Sequence, residues 1–197
     1  MSAITLVDAV RQALAYELSH DPDVVLFGED IGVNGGVFRA TLGLQETFGK
    51  NRVRDTPLSE NLIAGLAVGM SAAGMKPVAE IQFMGFLYSS LDQIINHAAR
   101  LRNRTMGRLS CPMVIRTPFG GGIHAPEHHS ESTEAMLVHI PGIKVVAASS
   151  PSRAYGLLLA SIRDPDPVIF LEPTRIYRKV KEEVPDDGEA LPLEVCF

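Results

Sequence analysis

Apolar positions recur along the chain with two different periods, and together they divide it into alternating helices and strands. Val7, Val10, Leu14 and Leu18 fall at helical spacing, so Thr5 to Leu18 is predicted as an amphipathic helix ending near the stretch SHDPD. VVLFGED, residues 24–30, has the continuous apolar character of a short buried strand. It runs into the glycine-rich loop GEDIGVNGG, and RVRD predicts a second brief strand. Pro57 and Ser59 suit the first turn of a helix that continues to Gly74, and Pro77 to Gln82 is predicted as a strand. Beyond it the pattern predicts a helix from Leu87 to Met106, a strand MVIR and a long loop TPFGGGIHAPEHHSES. A helix Thr133–His139, a strand KVVAAS, a helix Ser152–Arg163 and a strand VIFLE follow.

Strands that alternate with helices, and are too apolar to leave a face in water, imply an α/β fold of three layers. Its central sheet is mainly parallel, with helices on both faces. A chain of 197 residues predicts one such domain, placed at 1–178. From Lys179 onward the chain turns charged and proline-containing (KVKEEVPDDGEALP), the composition of a linker over 179–197 leading toward a carboxyl-terminal domain absent from this chain.

Composition narrows the function classes. With 46% hydrophobic residues and a formal net charge of −5, the chain reads as a soluble globular protein, and a nucleic-acid partner is not expected. The one local basic cluster, Arg100, Arg102, Arg104 and Arg108, suits a solvated helix face or a subunit contact. Cys111 and Cys196 have no metal-type spacing, which favours a reduced, cytoplasmic setting. Asp8, Arg11 and Glu17 break up any signal-peptide apolar core, and the uncharged run Asn61 to Met75 is too short to cross a bilayer.

Two places carry candidate chemistry. Glu60 is the single ionisable residue between Asp55 and Lys76, in the first turn of a helix and flanked by Leu58, Leu62 and Ile63. It either stabilises the helix start, an effect of about 0.3–1 kcal/mol, or is a buried acid with a raised pKa, fit to share a proton with a ring nitrogen. The helix behind it is rich in Gly and Ala, which predicts close approach by other backbones and burial on several sides. The second place is GGGIHAPEHHSES, with His124, His128 and His129 in one loop. The order of residues does not match His-Glu-x-x-His. A histidine after a parallel strand is instead placed for proton transfer near neutral pH, and the pattern leaves open which imidazole points inward. GEDIGVNGG lacks the order of a phosphate-binding loop and reads as tight turns.

These residues also carry a family resemblance over almost the whole chain. GGVFRAT, DTPLSE, KPVAEIQF, HHSES, HIPGIKVV and DPDPVIFLEP, in this order, resemble the beta subunit of thiamine-diphosphate-dependent 2-oxo acid dehydrogenases, the decarboxylating component of pyruvate and branched-chain complexes. The resemblance is to the amino-terminal, transketolase-like pyrimidine-binding domain, and it implies the thiamine-diphosphate-binding fold. It implies oxidative decarboxylation of pyruvate or a branched-chain 2-oxo acid, with acyl transfer to lipoamide; an acetoin-type relative or a non-catalytic assembly module is the alternative. Glu60 is then the acid that bonds the cofactor's pyrimidine nitrogen, Leu58 and Phe86 line the cofactor, and His129 is a catalytic proton donor during acyl transfer. By pattern alone Phe86 is ordinary core. Glu131 stands where the family usually has Gln, and a carboxylate there is expected to favour protonated His129. Met113, Ser161, Ile162, Asp164 and Asp166 match positions that ring a potassium ion in some members. No Gly-Asp-Gly occurs in the chain, so Mg2+ and the diphosphate are expected on an alpha subunit, in a heterotetramer of two alpha and two beta chains that serves a lipoyl-bearing acyltransferase core. The implied location is the cytoplasm, or the mitochondrial matrix if a transit peptide has been removed.

Overall fold

Thr5 starts the first helix by a reciprocal cap. Its hydroxyl accepts from the Asp8 backbone N–H at 3.3 Å while the Asp8 carboxylate accepts from the Thr5 N–H at 3.3 Å. Thr5 and Ile4 form β1 (Ile4–Thr5), and α1 (Leu6–His20) follows, burying Val7, Val10, Leu14 and Leu18 along one face. The structure, a computed structural model, describes residues 3–125 and 127–195. Cys196 lies outside them.

The strands β2 (Val24–Gly28), β3 (Val53–Asp55), β4 (Lys76–Glu80), β5 (Val114–Phe119), β6 (Lys144–Ala147) and β7 (Val168–Pro173) form one sheet, ordered β3-β2-β4-β5-β7-β6. Every neighbouring pair is parallel. Side chains alternate strictly between two cores, as the period of a strand requires. Val24 and Leu26 of β2, Val114 of β5, and Val168 and Phe170 of β7 face α1 and α6 (Pro151–Arg163). Val25 and Phe27, Ile115, and Ile169 and Leu171 face the other way, toward α3 (Glu60–Ala72) and α5 (Glu134–Val138). The three-layer α/β fold predicted from the apolar strands is therefore present, with a sheet that is wholly parallel. A short α2 (Leu44–Phe48) lies between β2 and β3.

Three local expectations are corrected. The predicted helix from Leu87 to Met106 is broken into a 3-10 segment Met84–Ser90, a π turn Gln93–His97, a 3-10 turn Ala98–Arg100 and α4 (Leu101–Arg104). Ser89 and Ser90 donate their hydroxyls to the carbonyls of Phe86 and Leu87, a local bond that competes with regular helix. The helix α3 is buried along one face through Ile63, Ala64, Ala67 and Ser71, while Leu62 and Leu66 are exposed, so its small residues do not enclose it on several sides. The segment after Lys179, read from its composition as a linker, is docked on the domain over its described residues. Lys181–Glu182 forms β8, antiparallel to β1, Val184 is buried, and Tyr155 donates its hydroxyl to Asp186 at 3.0 Å while accepting from the Gly188 N–H at 2.9 Å. Val184, Leu191 and Leu193 supply the apolar anchor points hidden in that charged stretch.

Candidate functional site

In a parallel sheet the carboxyl ends of the strands all open on one side, and the register gathers Gly28, Asp55 and Glu80 there, level with Arg116 in the middle of β5. Glu60 opens α3, directly after Ser59, whose hydroxyl accepts from the Leu62 N–H. The carboxylate is half-buried, and Leu58 beside it is 80% exposed, so the chain by itself does not enclose this acid as its apolar neighbours suggested. The side chains Leu58, Leu62 and Leu66 continue as an exposed apolar stripe spaced by four residues.

Glu29, the residue after β2, is a site residue that sequence reasoning missed. It is buried, and its Oε1 has no hydrogen-bond partner. Burial raises its pKa first, and the negative charges of Glu60 and Asp30 raise it further. The site thus sets an acid whose pKa is raised beside the half-buried Glu60. Glu29 is hidden in a string that reads as a tight turn; its relation to Glu60 depends on β2 and β3 lying side by side, which spacing along the chain does not reveal.

Phe86 and His129 are brought together. The rings meet edge to face with centroids 5.2 Å apart, and Phe83 packs against both, 4.6 Å from His129 and 5.7 Å from Phe86. Phe86 is half-buried, at the edge of the core rather than within it. The choice left open between the two imidazoles falls to His129, which is half-buried, whereas His128 is exposed with its backbone at φ +69°. His129 Nδ1 lies 2.8 Å from the Glu127 carbonyl. A carbonyl only accepts, so Nδ1 carries a proton and Nε2 is the nitrogen able to exchange one. The carboxylate of Glu131, expected to act on His129, accepts from the Tyr88 hydroxyl at 3.1 Å.

Below this edge lies a fully buried charged cluster. Arg116 donates from Nη1 to Glu80 Oε2 at 2.9 Å, and its Nε is 2.7 Å from Glu172 Oε1. Tyr177 donates its hydroxyl to the other Glu172 oxygen. Burial raises the pKa of Glu80 despite the nearby guanidinium. Burial opposes the charge of Arg116, but the two carboxylates outweigh it and keep the guanidinium ionised. Phe38 joins this cluster to the aromatic group, touching Tyr177 at 5.1 Å and Phe83 at 5.6 Å between centroids.

The matched potassium positions lie at the opposite end of the sheet. Ser161 and Ile162 end α6, Met113 precedes β5, and all three are buried. Asp164 is paired with Lys144 at 2.5 Å, and Asp166 with Arg102 at 2.6 Å. Both carboxylates are thus committed to cationic side chains.

The residues at the carboxyl edge fit an aminopyrimidine: an acid at a helix start for a ring nitrogen, and the half-buried aromatic ring of Phe86. They do not fit a diphosphate, which Glu29, Asp30 and Glu60 would repel. The chain is 53% identical over 193 residues to "Pyruvate dehydrogenase E1 component subunit beta" of Acholeplasma laidlawii, covering 98% of this chain and 59% of that protein. It is 51% identical over the same length to the protein of that name in Bacillus subtilis, again spanning 59% of it. The chain therefore spans about three-fifths of the length of the curated relatives it matches. The solved structure of a "Split gene transketolase, inactive beta4 tetramer" superposes with a TM-score of 0.71 at 18% identity, over 96% of this chain and 56% of that one, and shares the fold. The family description "Transketolase, pyrimidine binding domain" matches residues 2–180, and the chain belongs to that family.

Proposed function

We propose that this chain is the pyrimidine-binding half of a thiamine-diphosphate site, in the beta subunit of the decarboxylating component of a 2-oxo acid dehydrogenase complex. The observation that carries this reading is Glu60 at the start of α3 beside the buried Glu29, whose Oε1 has no hydrogen-bond partner. Thiamine diphosphate supplies, when bound, the carbon nucleophile that adds to a keto carbon and accepts the electrons left by carbon dioxide. Glu60 holds a proton against the pyrimidine nitrogen, with the Glu29 carboxyl beside it. Phe86 and Leu58 give the ring an apolar seat. His129 delivers a proton from Nε2 during transfer of the acyl group to a lipoyl arm.

An alpha subunit completes the site. It covers the exposed stripe Leu58, Leu62 and Leu66, encloses Glu60 and brings Mg2+ for the diphosphate, in an assembly of two alpha and two beta chains. Pyruvate is the leading substrate, in keeping with the names of the relatives, and a lipoyl-bearing acyltransferase core receives the product. The segment 179–197 leads toward a further domain, and its described part docks on α1 and α6. The described residues contain no helix long and apolar enough to cross a membrane, and the proposed setting is the cytoplasm.

The test is reconstitution of the full-length beta chain with an alpha chain, thiamine diphosphate and Mg2+, with decarboxylation of pyruvate and of 3-methyl-2-oxobutanoate compared. Activity that needs both chains is expected, with pyruvate preferred. Tight assembly without decarboxylation of either acid would point to a non-catalytic assembly module. A potassium ion held by the carbonyl oxygens around Met113, Ser161, Ile162, Asp164 and Asp166 belongs to the same proposal. The thermal midpoint of the assembled protein is then expected to be higher in K+ than in Na+ at equal ionic strength, and equal midpoints would remove the ion from the account.

A further inference from the structure

The loop that carries His129 meets the 3-10 segment Met84–Ser90 at three points. Gly85 lies so close to the loop that an added Cβ would sit 2.3 Å from the His128 carbonyl oxygen and 2.7 Å from its Cα. The Thr133 N–H points at Met84 Sδ at 3.3 Å. Between them, Tyr88 donates to Glu131 Oε2 at 3.1 Å, and the Glu131 carbonyl accepts from the Gly120 N–H at 2.9 Å. The same segment carries Phe86, whose ring faces His129.

We propose that the Tyr88–Glu131 hydrogen bond is a latch that fixes His129 against Phe86, making Tyr88 and Glu131 positioning residues for the proton transfer assigned to His129. What His129 does rests on the function proposed above; the latch itself rests on the geometry. The Gly85 contact sets how close the loop approaches at His128, and the Tyr88 bond adds a directional tie at Glu131. An ionised carboxylate only accepts, so the phenol must donate and the bond has a single polarity. Burial and Glu131 both raise the Tyr88 pKa, which keeps that donor proton in place. Glutamine at 131 retains an acceptor oxygen, so it preserves the latch, whereas alanine removes it.

Hydrogen–deuterium exchange of the peptide covering 120–133, in the full-length beta chain assembled with its partner, tests this without reference to activity. Tyr88→Phe and Glu131→Ala are each expected to speed exchange in that loop about fivefold, the value of one hydrogen bond. The double variant should exchange no faster than either single one, and Glu131→Gln should match wild type. Unchanged exchange in Tyr88→Phe, or additive effects in the double variant, would overturn the latch. In the same complexes, Tyr88→Phe should slow acyl transfer to a lipoyl acceptor more than decarboxylation read with an artificial electron acceptor. Equal losses in both reactions would overturn the positioning role. A wild-type complex that decarboxylates no 2-oxo acid would instead overturn the proposed function, with the exchange comparison still deciding the latch.

Discussion

Replacing Arg116 with methionine is expected to lower stability by about 3–5 kcal/mol, because it leaves two carboxylates buried without their cation. Both partners, Glu80 and Glu172, are enclosed with Arg116 at the centre of the sheet, on the three adjacent strands β4, β5 and β7. For a chain of this size such a loss lowers the thermal midpoint by on the order of 10 °C. Glu80→Gln should behave differently. The cluster holds two carboxylates against one guanidinium, and glutamine leaves a balanced Arg116–Glu172 pair while still accepting from Arg116 Nη1. The folded pKa of Glu80 is raised. Its contribution to stability is therefore fully present below its unfolded pKa and lost as pH rises through the folded value. Glu80→Gln should consequently gain on wild type as pH rises from acid to neutral. Thermal unfolding of both variants across that range checks the account, and a Glu80→Gln penalty as large as that of Arg116→Met would contradict it.

Glu60→Gln is expected to lower decarboxylation by the reconstituted complex about 10²–10⁴-fold, the usual worth of a positioned proton-transfer group. Its effect on folding should be small, because an acid at a helix start contributes only about 0.3–1 kcal/mol. The two readings of Glu60 therefore predict opposite pairs of results. A cofactor-activating acid gives a large loss of rate with a nearly unchanged thermal midpoint. A helix-stabilising acid gives a small drop in midpoint with the rate preserved. Measuring both on one preparation separates them.

The fold was legible where a periodic signal spans several residues. Val24 to Phe27 are buried without a break, as their apolar run implies, and Val7, Val10, Leu14 and Leu18 form the buried face of α1. The legibility ended where local chemistry competes with period. Ser89 and Ser90 turn their hydroxyls onto nearby carbonyls and the segment tightens to 3-10 geometry, although its residues fit a helical pattern. Val184, Leu191 and Leu193 are too widely spaced among charges to show any period, yet they dock the tail. At the site, Glu60 and the histidine loop were conspicuous because each breaks its surroundings, one acid before an apolar run and three histidines among glycines. Glu29, Tyr88 and Arg116 were not, since their partners Glu60, Glu131, Glu80 and Glu172 are distant in sequence and meet only through strand order and loop packing. The half-burial of Glu60 has the same origin. Leu58, Leu62 and Ile63 were read as its enclosure, but only Ile63 is buried, and Leu58 and Leu62 form with Leu66 an outward-facing stripe.

The measurement that bears most directly on the central claim is the rate at which the thiazolium carbon of thiamine diphosphate exchanges its proton for deuterium in the assembled complex, with wild-type and Glu60→Gln beta chains compared. This reads cofactor activation before any substrate enters. The account predicts rapid exchange with the wild-type chain and a fall of about 10²-fold or more in the variant. Equal exchange rates would show that Glu60 serves its helix alone, and would contradict the assignment of this domain's carboxyl edge as the activating half of the site.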